Sequence, residues 1–303
     1  MSPSTGYAGT GEYPVSAAHL VPGRDFTGTI HSVFASACNI AVDGLLVTVQ
    51  DAAQQHSPTS IRVAVAGAGS WSPVARAGDR AVCRAGVLRF GAHALNLRGV
   101  PVWSPGPRAH WGQPSVVRRR LTLLASVRQA HVGSGSLENH PGLHRDVRDV
   151  GARVLATTTA ESDIGTAVTR LVGAGPGLTP SGDDVLVGLL AALLRGGGSS
   201  PHSASVASWV SAAVVNNARR TTDISRHYLR LAARGHFGEP LSELVDAVVV
   251  GADAQVVAGR ADDVLSVGAS SGADAALGVL LGLRAACELQ DNQANNLANE
   301  KVA

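Results

Sequence analysis

Three short polar segments hold most of the side chains able to do chemistry. The first, G-A-G-P-G-L-T-P-S-G-D-D at 173–184, brings Gly177, Thr179, Ser181, Gly182, Asp183 and Asp184 to the entrance of an apolar run ending at Leu194. The second is A-R-R-T-T-D-I-S-R-H-Y-L at 218–229, with Thr222, Ser225 and Arg226. The third, G-A-S-S-G-A-D at 268–274, holds Ser270, Ser271, Gly272 and Asp274. Glycine lets backbone or ligand approach closely. Hydroxyls and the free N–H groups of a helix start suit an anion or a carbonyl oxygen that gains charge. Carboxylates suit amide or amine donors and can orient or deprotonate an attacking amide. The other occupant such carboxylates admit is a hydrated Mg²⁺.

The first and third segments are copies of one device. Residues 179–190 align without gaps to 269–280, sharing the skeleton S-G-x-D-x-x-x-G-x-L. In each copy the Ser is placed to cap a helix start, and Asp184 or Asp274 falls in the first turn, where the helix dipole favours negative charge. Gly188 and Gly278 lie six residues after Gly182 and Gly272, inside the helices. Glycine there costs up to about 1 kcal/mol relative to alanine, which close helix–helix packing would explain. One copy alone reads as a capped, buried helix. Two copies predict a pseudo-symmetric helix pair whose N-termini open on one pocket. In the second segment Thr222 is a candidate cap, and Thr222, Ser225 and Arg226 share one helix face. Arg226 offers a bidentate fork for carboxylate or phosphate; taken alone, the segment also reads as a capped helix with a surface Arg.

The elements that position these residues follow from periodicity. Residues 1–24, rich in Gly, Ser, Pro and Thr, are expected to lack fixed structure. From about 25 to 112 short β-branched runs (28–34, 45–51, 60–66, 80–91 and 93–97) predict a small antiparallel sheet or barrel. From 113 to 288 helical spacing dominates, over 115–131, 143–157, 161–172, 183–195, 203–219, 222–235, 239–250 and 274–288. The tail, 289–303, is polar and reads as a frayed helix end. Strands followed by helices give an α+β class, with a β-rich domain, a helical domain and the repeated loop–helix unit inside the latter.

Composition excludes several functions. A formal net charge of +2 does not fit a nucleic-acid binder that relies on bulk charge. Three distant cysteines, Cys38, Cys83 and Cys287, form neither a disulfide framework nor a thiolate zinc site. No apolar run is long enough to span a bilayer and no secretory signal opens the chain, so a cytoplasmic protein without a membrane partner is expected. There is no H-E-x-x-H motif and no cysteine beside an obvious base. His31, Asn39, H-W-G-Q-P at 110–114 and H-V-G-S-G-S-L-E at 131–138 are weaker candidates for lining a site.

The three segments, with the strand-like G-T-I-H-S-V-F-A-S-A-C-N-I, resemble the oxamate carbamoyltransferase subunit family (AllH-like), over about residues 27–286. The resemblance implies bacterial purine or allantoin breakdown. There a multi-subunit enzyme converts oxalurate and phosphate to oxamate and carbamoyl phosphate. It carries over no catalytic residue. Ala269 stands where a His often precedes the paired serines in the family pattern; if that position contributes chemistry, the substrate differs here.

The expected function is therefore carbamoyl transfer on a small anionic, amide or ureido substrate, by the chain alone or with carbamoyltransferase partner subunits. A stand-alone hydrolase or cyclising lyase on a related C–N bond is one alternative; a non-catalytic metabolite-binding subunit is another. Asp183, Asp184, Asp274 and Arg226 are the candidate catalytic groups. Gly177, Thr179, Ser181, Gly182, Thr222, Ser225, Ser270, Ser271 and Gly272 are the candidate substrate contacts. No resident cofactor is expected beyond the Mg²⁺ alternative, and a homo-oligomer is left open.

Overall fold

The computed structural model describes residues 15–64, 75–131, 137, 140–156, 158–197 and 201–300, the last twelve of these in backbone only. The chain divides into two compact units, Met1–Pro105 and Gly106–Ala303.

The first unit is a nine-stranded sheet. Its strands are β1 (Val15–Ala18), β2 (Phe26–Val33), β3 (Ala37–Val42), β4 (Leu45–Asp51), β5 (Ser60–Val63), β6 (Arg80–Arg84), β7 (Val87–Phe90), β8 (His93–Asn96) and β9 (Val102–Trp103). They lie in the order β8-β7-β6-β2-β3-β4-β5-β1-β9. Most pairs are antiparallel; β4–β5 and β1–β9 run parallel. Two tight hairpins follow from turn chemistry. Asp43-Gly44 joins β3 to β4 and Ala85-Gly86 joins β6 to β7, all four residues at positive φ. That is the geometry two-residue turns need to match strand twist. Ile30, Ile40, Val47, Val49, Ile61, Leu88 and Phe90 fill the core. Strand β1 falls inside the stretch expected to lack fixed structure; residues 1–14 lie outside the described part.

The second unit holds the helices α1 (Pro114–His131), α2 (Pro141–Leu155), α3 (Glu161–Leu171), α4 (Ser181–Leu194), α5 (Pro201–Asn217), α6 (Asp223–Ala232), α7 (Glu239–Val250), α8 (Ala254–Leu265) and α9 (Ser271–Glu300). Helix α8 has no counterpart in the sequence reading, and α9 runs on through the tail expected to fray. Helices α4 and α9 make the most extensive helix–helix contact of the unit. The interior glycines allow it. A methyl group on Gly188 would lie 1.9 Å from the Ala275 carbonyl oxygen, and one on Gly278 would lie 2.1 Å from that of Val185. Gly278 meets Val185 and Leu189, and Gly282 meets Leu189 and Ala192. The contacts advance together along both helices, so α4 and α9 run in the same direction with their N-termini at one end.

The relationship extends into the preceding helices. Gly182 packs on the last carbonyl of α3, with Leu171 O 2.2 Å from a methyl placed there. Gly272 packs likewise on the end of α8, with Val264 O at 1.9 Å. Gly175 (φ 114°) turns the chain beside Ser181, as Gly268 (φ 64°) does beside Ser271. Five residues separate Gly175 from Ser181 and two separate Gly268 from Ser271, so the first loop is longer. The repeated unit is therefore helix–loop–helix, α3–α4 and α8–α9.

Candidate active site

Where the two N-termini meet, Thr179 Oγ1 and Ser271 Oγ lie 2.8 Å apart, one hydroxyl from each copy of the repeat. Both hydroxyls hydrogen-bond the carboxyl of Asp184, in the first turn of α4. Asp274, the same position of the second copy, is fully buried and close enough to act on Asp184 through its charge. Burial, first of all, and then the neighbouring Asp274 raise the Asp184 carboxyl to about 8, against the pull of the Ser271 and Thr179 hydroxyls. Among the described residues its Oδ2, buried, has no hydrogen-bond partner. A carboxyl that keeps its proton near neutrality can donate a hydrogen bond or hand a proton to a leaving group.

Asp183 does something different. Its carboxylate is fully buried and accepts from Gly173 N at 2.8 Å, from the Thr221 hydroxyl, and from Ser225 Oγ at 2.6 Å. Three donors from the loop before α4 and the start of α6 close on one side chain. Thr222 completes this clasp. It caps α6 by accepting from Ser225 N, and its hydroxyl donates to the Leu178 carbonyl. Asp183→Ala leaves buried donors unsatisfied and is expected to cost about 3 kcal/mol or more. Its lowered denaturant midpoint, with faster proteolysis of the 173–178 loop, would be the check.

Arg226 is drawn into the same scaffold. It pairs with Asp223 at 2.7 Å and donates to the carbonyls of Ala218 (3.1 Å) and Thr221 (3.3 Å). The expected anion fork is thus committed to its own helix start. Arg226→Ala is expected to lower stability by about 1 kcal/mol, seen in a thermal melt. A large fall in turnover with an unchanged melting temperature would restore a substrate-facing role.

Two further expectations change. Ser181 and Ser271 are not in the capping position: each is the first helical residue, Pro180 precedes Ser181, and among the described residues no side chain caps that end of α4. Several of the N–H groups read as an anion grip are also taken. Gly182 donates to Ala174 O, Asp183 and Asp184 to Pro180 O, Gly272 to Val267 O, and Asp274 to Ser270 O. The Gly175–Leu178 loop, including Gly177, is exposed, and Ser270 is half-buried beside the site. Among the described residues, no three His, Cys, Asp or Glu side chains cluster closely enough to hold a metal ion.

One residue escaped the sequence reading. Arg128 of α1 is buried, and its Nε donates to Ala273 O at 2.7 Å, next to Asp274. The signal was present, because Arg128 continues the buried stripe of Val117, Leu121 and Leu124. A charged residue on an apolar stripe marks a buried partner. The weaker candidates have other duties. Asn39 links Ser32 and Thr48 across β2, β3 and β4, and His31 bonds Ser32. Trp111 donates to Gly196 O. The Gly/Ser-rich stretch 131–138 lies largely outside the described residues. Burial raises the Cys38 thiol to about 12, which suppresses its thiolate.

The site lies inside a stretch that matches a known family. Residues 171–283 match the model of the oxamate carbamoyltransferase subunit AllH, and residues 12–102 match that of the AllH family N-terminal domain. The chain belongs to the AllH family. The first AllH match opens at Leu171, the packing partner of Gly182, and closes at Leu283, so it spans both loops, the Asp183 clasp and the α4–α9 pair. The AllH N-terminal match covers the sheet almost entirely. The family is described as a subunit of a carbamoyltransferase, an enzyme-associated role. No solved structure matches the chain. Among the described residues, no helix is long and apolar enough to cross a membrane.

Proposed function

We propose that this chain contributes the carbamoyl-handling site of a carbamoyltransferase acting on a small ureido or amide metabolite. Transfer between oxalurate and carbamoyl phosphate is the reaction favoured by the family description. The observation that supports it is Asp184: a carboxyl raised to about 8, touched by one hydroxyl from each repeat, where two parallel helices begin.

In the direction that forms carbamoyl phosphate, a phosphate oxygen adds to the ureido carbonyl carbon. The C–N bond to the oxamate nitrogen then breaks, and that nitrogen leaves with the Asp184 proton. In reverse, the Asp184 carboxylate takes a proton from the oxamate amide as its nitrogen attacks the carbamoyl carbon. A group with its pKa near the working pH serves both directions. Thr179 and Ser271 hydrogen-bond the carboxyl; burial, helped by the neighbouring Asp274, keeps the proton on it.

A second reading has its own support. Arg226 and several of the helix-start N–H groups, those of Gly182 and Gly272 among them, are bonded internally. A phosphate dianion therefore needs a cation from outside this cluster, a role that suits a partner subunit completing the site. The test is an assay of carbamoyl phosphate formation from oxalurate and phosphate by the purified chain, alone and with its partner subunits. Turnover only in the mixture supports a shared site; turnover alone supports a self-sufficient one. No phosphate-dependent turnover in either case removes the carbamoyltransferase reading and leaves hydrolysis or cyclisation of a related C–N bond.

A further inference from the structure

The sheet unit contains a second arrangement of reactive side chains, which the carbamoyl site does not use. Ser16 Oγ on β1 lies 3.1 Å from His56 Nε2, and His56 Nδ1 lies 2.8 Å from Ser60 Oγ on β5. Ser60 Oγ also sits 3.0 Å from the Ser57 carbonyl, which can only accept, and it receives the Ser57 N–H at 3.1 Å. The Ser60 proton thus has a destination, leaving its oxygen to accept from His56 Nδ1. That holds the imidazole in the tautomer whose Nε2 lone pair points at the Ser16 hydroxyl. His56 and Ser60 are buried, whereas Ser16 is half-exposed. The indole of Trp103 stacks on the His56 ring, centroids 5.5 Å apart and 10° from parallel. Such a stack fixes the ring. A hydroxyl, a base in reach of it and a third group orienting the base make up an activated nucleophile.

We propose that Ser16 is a nucleophile, with His56 as its general base and Ser60 as the positioning residue, acting on a carbonyl compound with a good leaving group, an ester or activated carbamoyl derivative. Ser16 Oγ forms a bond to the carbonyl carbon and its proton passes to His56 Nε2. The bond to the leaving group breaks, and that group departs with the proton from His56. Water then attacks the acyl-serine through the same base, so the net reaction is hydrolysis.

The full chain is treated with a fluorophosphonate probe, which forms a Ser Oγ–P bond and expels fluoride, and is then mapped by peptide mass spectrometry. One adduct per chain is expected, on Ser16. Ser16→Ala, which removes a single oxygen from a half-exposed position, should abolish the adduct without altering the melting temperature. His56→Gln should slow labelling by about 100-fold or more. Should the buried histidine variant fail to fold, Ser60→Ala, with the same labelling rate as readout, replaces it and should slow labelling at least about tenfold. No adduct at Ser16, or an unchanged rate when the base or its positioning hydroxyl is removed from a folded chain, overturns the proposal and leaves the three side chains as a structural hydrogen-bond relay.

Discussion

Asp184→Asn should lower carbamoyl transfer by about a thousandfold, the usual worth of a well-placed acid–base group, while the variant folds as well as the parent or better. Asn has the same shape and retains an acceptor for the Thr179 and Ser271 hydroxyls, but it has no proton to exchange. The stability side follows from linkage. The carboxyl rises from 3.8 to about 8 on folding, so the folded chain holds this proton more tightly than the unfolded chain. Its contribution is fully present below the unfolded value, about pH 4, and is lost as pH rises through the folded value, about pH 8. Asn does not share that loss. The variant should gain on the parent across this window and stay ahead above it, by on the order of 3 kcal/mol after discounting for solvent near a half-buried group. Denaturant titrations at pH 5 and pH 8.5 check the sign. An equal gap at both pH values would mean that the carboxyl titrates as an ordinary one, and the acid–base role would fall with it.

Gly188→Ala and Gly278→Ala should each destabilise the helical unit by roughly 3 kcal/mol or more. The added methyl has no room, because it would lie 1.9 Å from a carbonyl oxygen of α9 in the first case and 2.1 Å from one of α4 in the second. These are backbone atoms of helices, not the ends of flexible side chains, so relief requires the two helices to move apart. Helix propensity pulls the other way by up to about 1 kcal/mol in favour of alanine, so packing must win for the prediction to hold. The pair carries the site, so separating α4 from α9 would also part Thr179 from Ser271. Gly165→Ala in α3, where nothing among the described residues lies within 4 Å of the new methyl, is the matched control and should be neutral or slightly stabilising. Thermal melts of the three variants decide the matter; a small effect at 188 and 278 would mean that the α4–α9 contact yields easily.

Much of this was legible from residue order. The S-G-x-D-x-x-x-G-x-L skeleton recurs at 181–190 and 271–280 and led to the paired helices, the interior glycines and the meeting of Asp184 with Asp274. Such local repeats imply like structures and like packing. Which neighbour a polar side chain chooses was not legible, because that depends on chain segments far apart in sequence. Asp183 and Asp184 are adjacent, yet a helix turns successive side chains to different faces. One meets Ser225 across 42 positions and the other meets Ser271. Arg226 looked like a free fork because nothing in its own segment shows that the Ala218 and Thr221 carbonyls turn back toward it. The strands β1 and β9 were missed because they are four and two residues long and are held by the sheet rather than by their own propensity.

The glycine contacts between α4 and α9 are reciprocal: 188 meets 275 and 278 meets 185, each the partner of the other under the repeat. Reciprocity of that kind is what a twofold dimer interface displays. The helical unit can thus be viewed as a homodimer joined into one chain. Two identical protomers must change together, but two linked copies can diverge. Here the first keeps Thr179 and Asp183 where the second has Ala269 and Ala273, and its loop is longer by the Pro176–Leu178 segment. A symmetric pair of helix starts presents the same side chains twice. These differences make the two starts unlike each other where they meet.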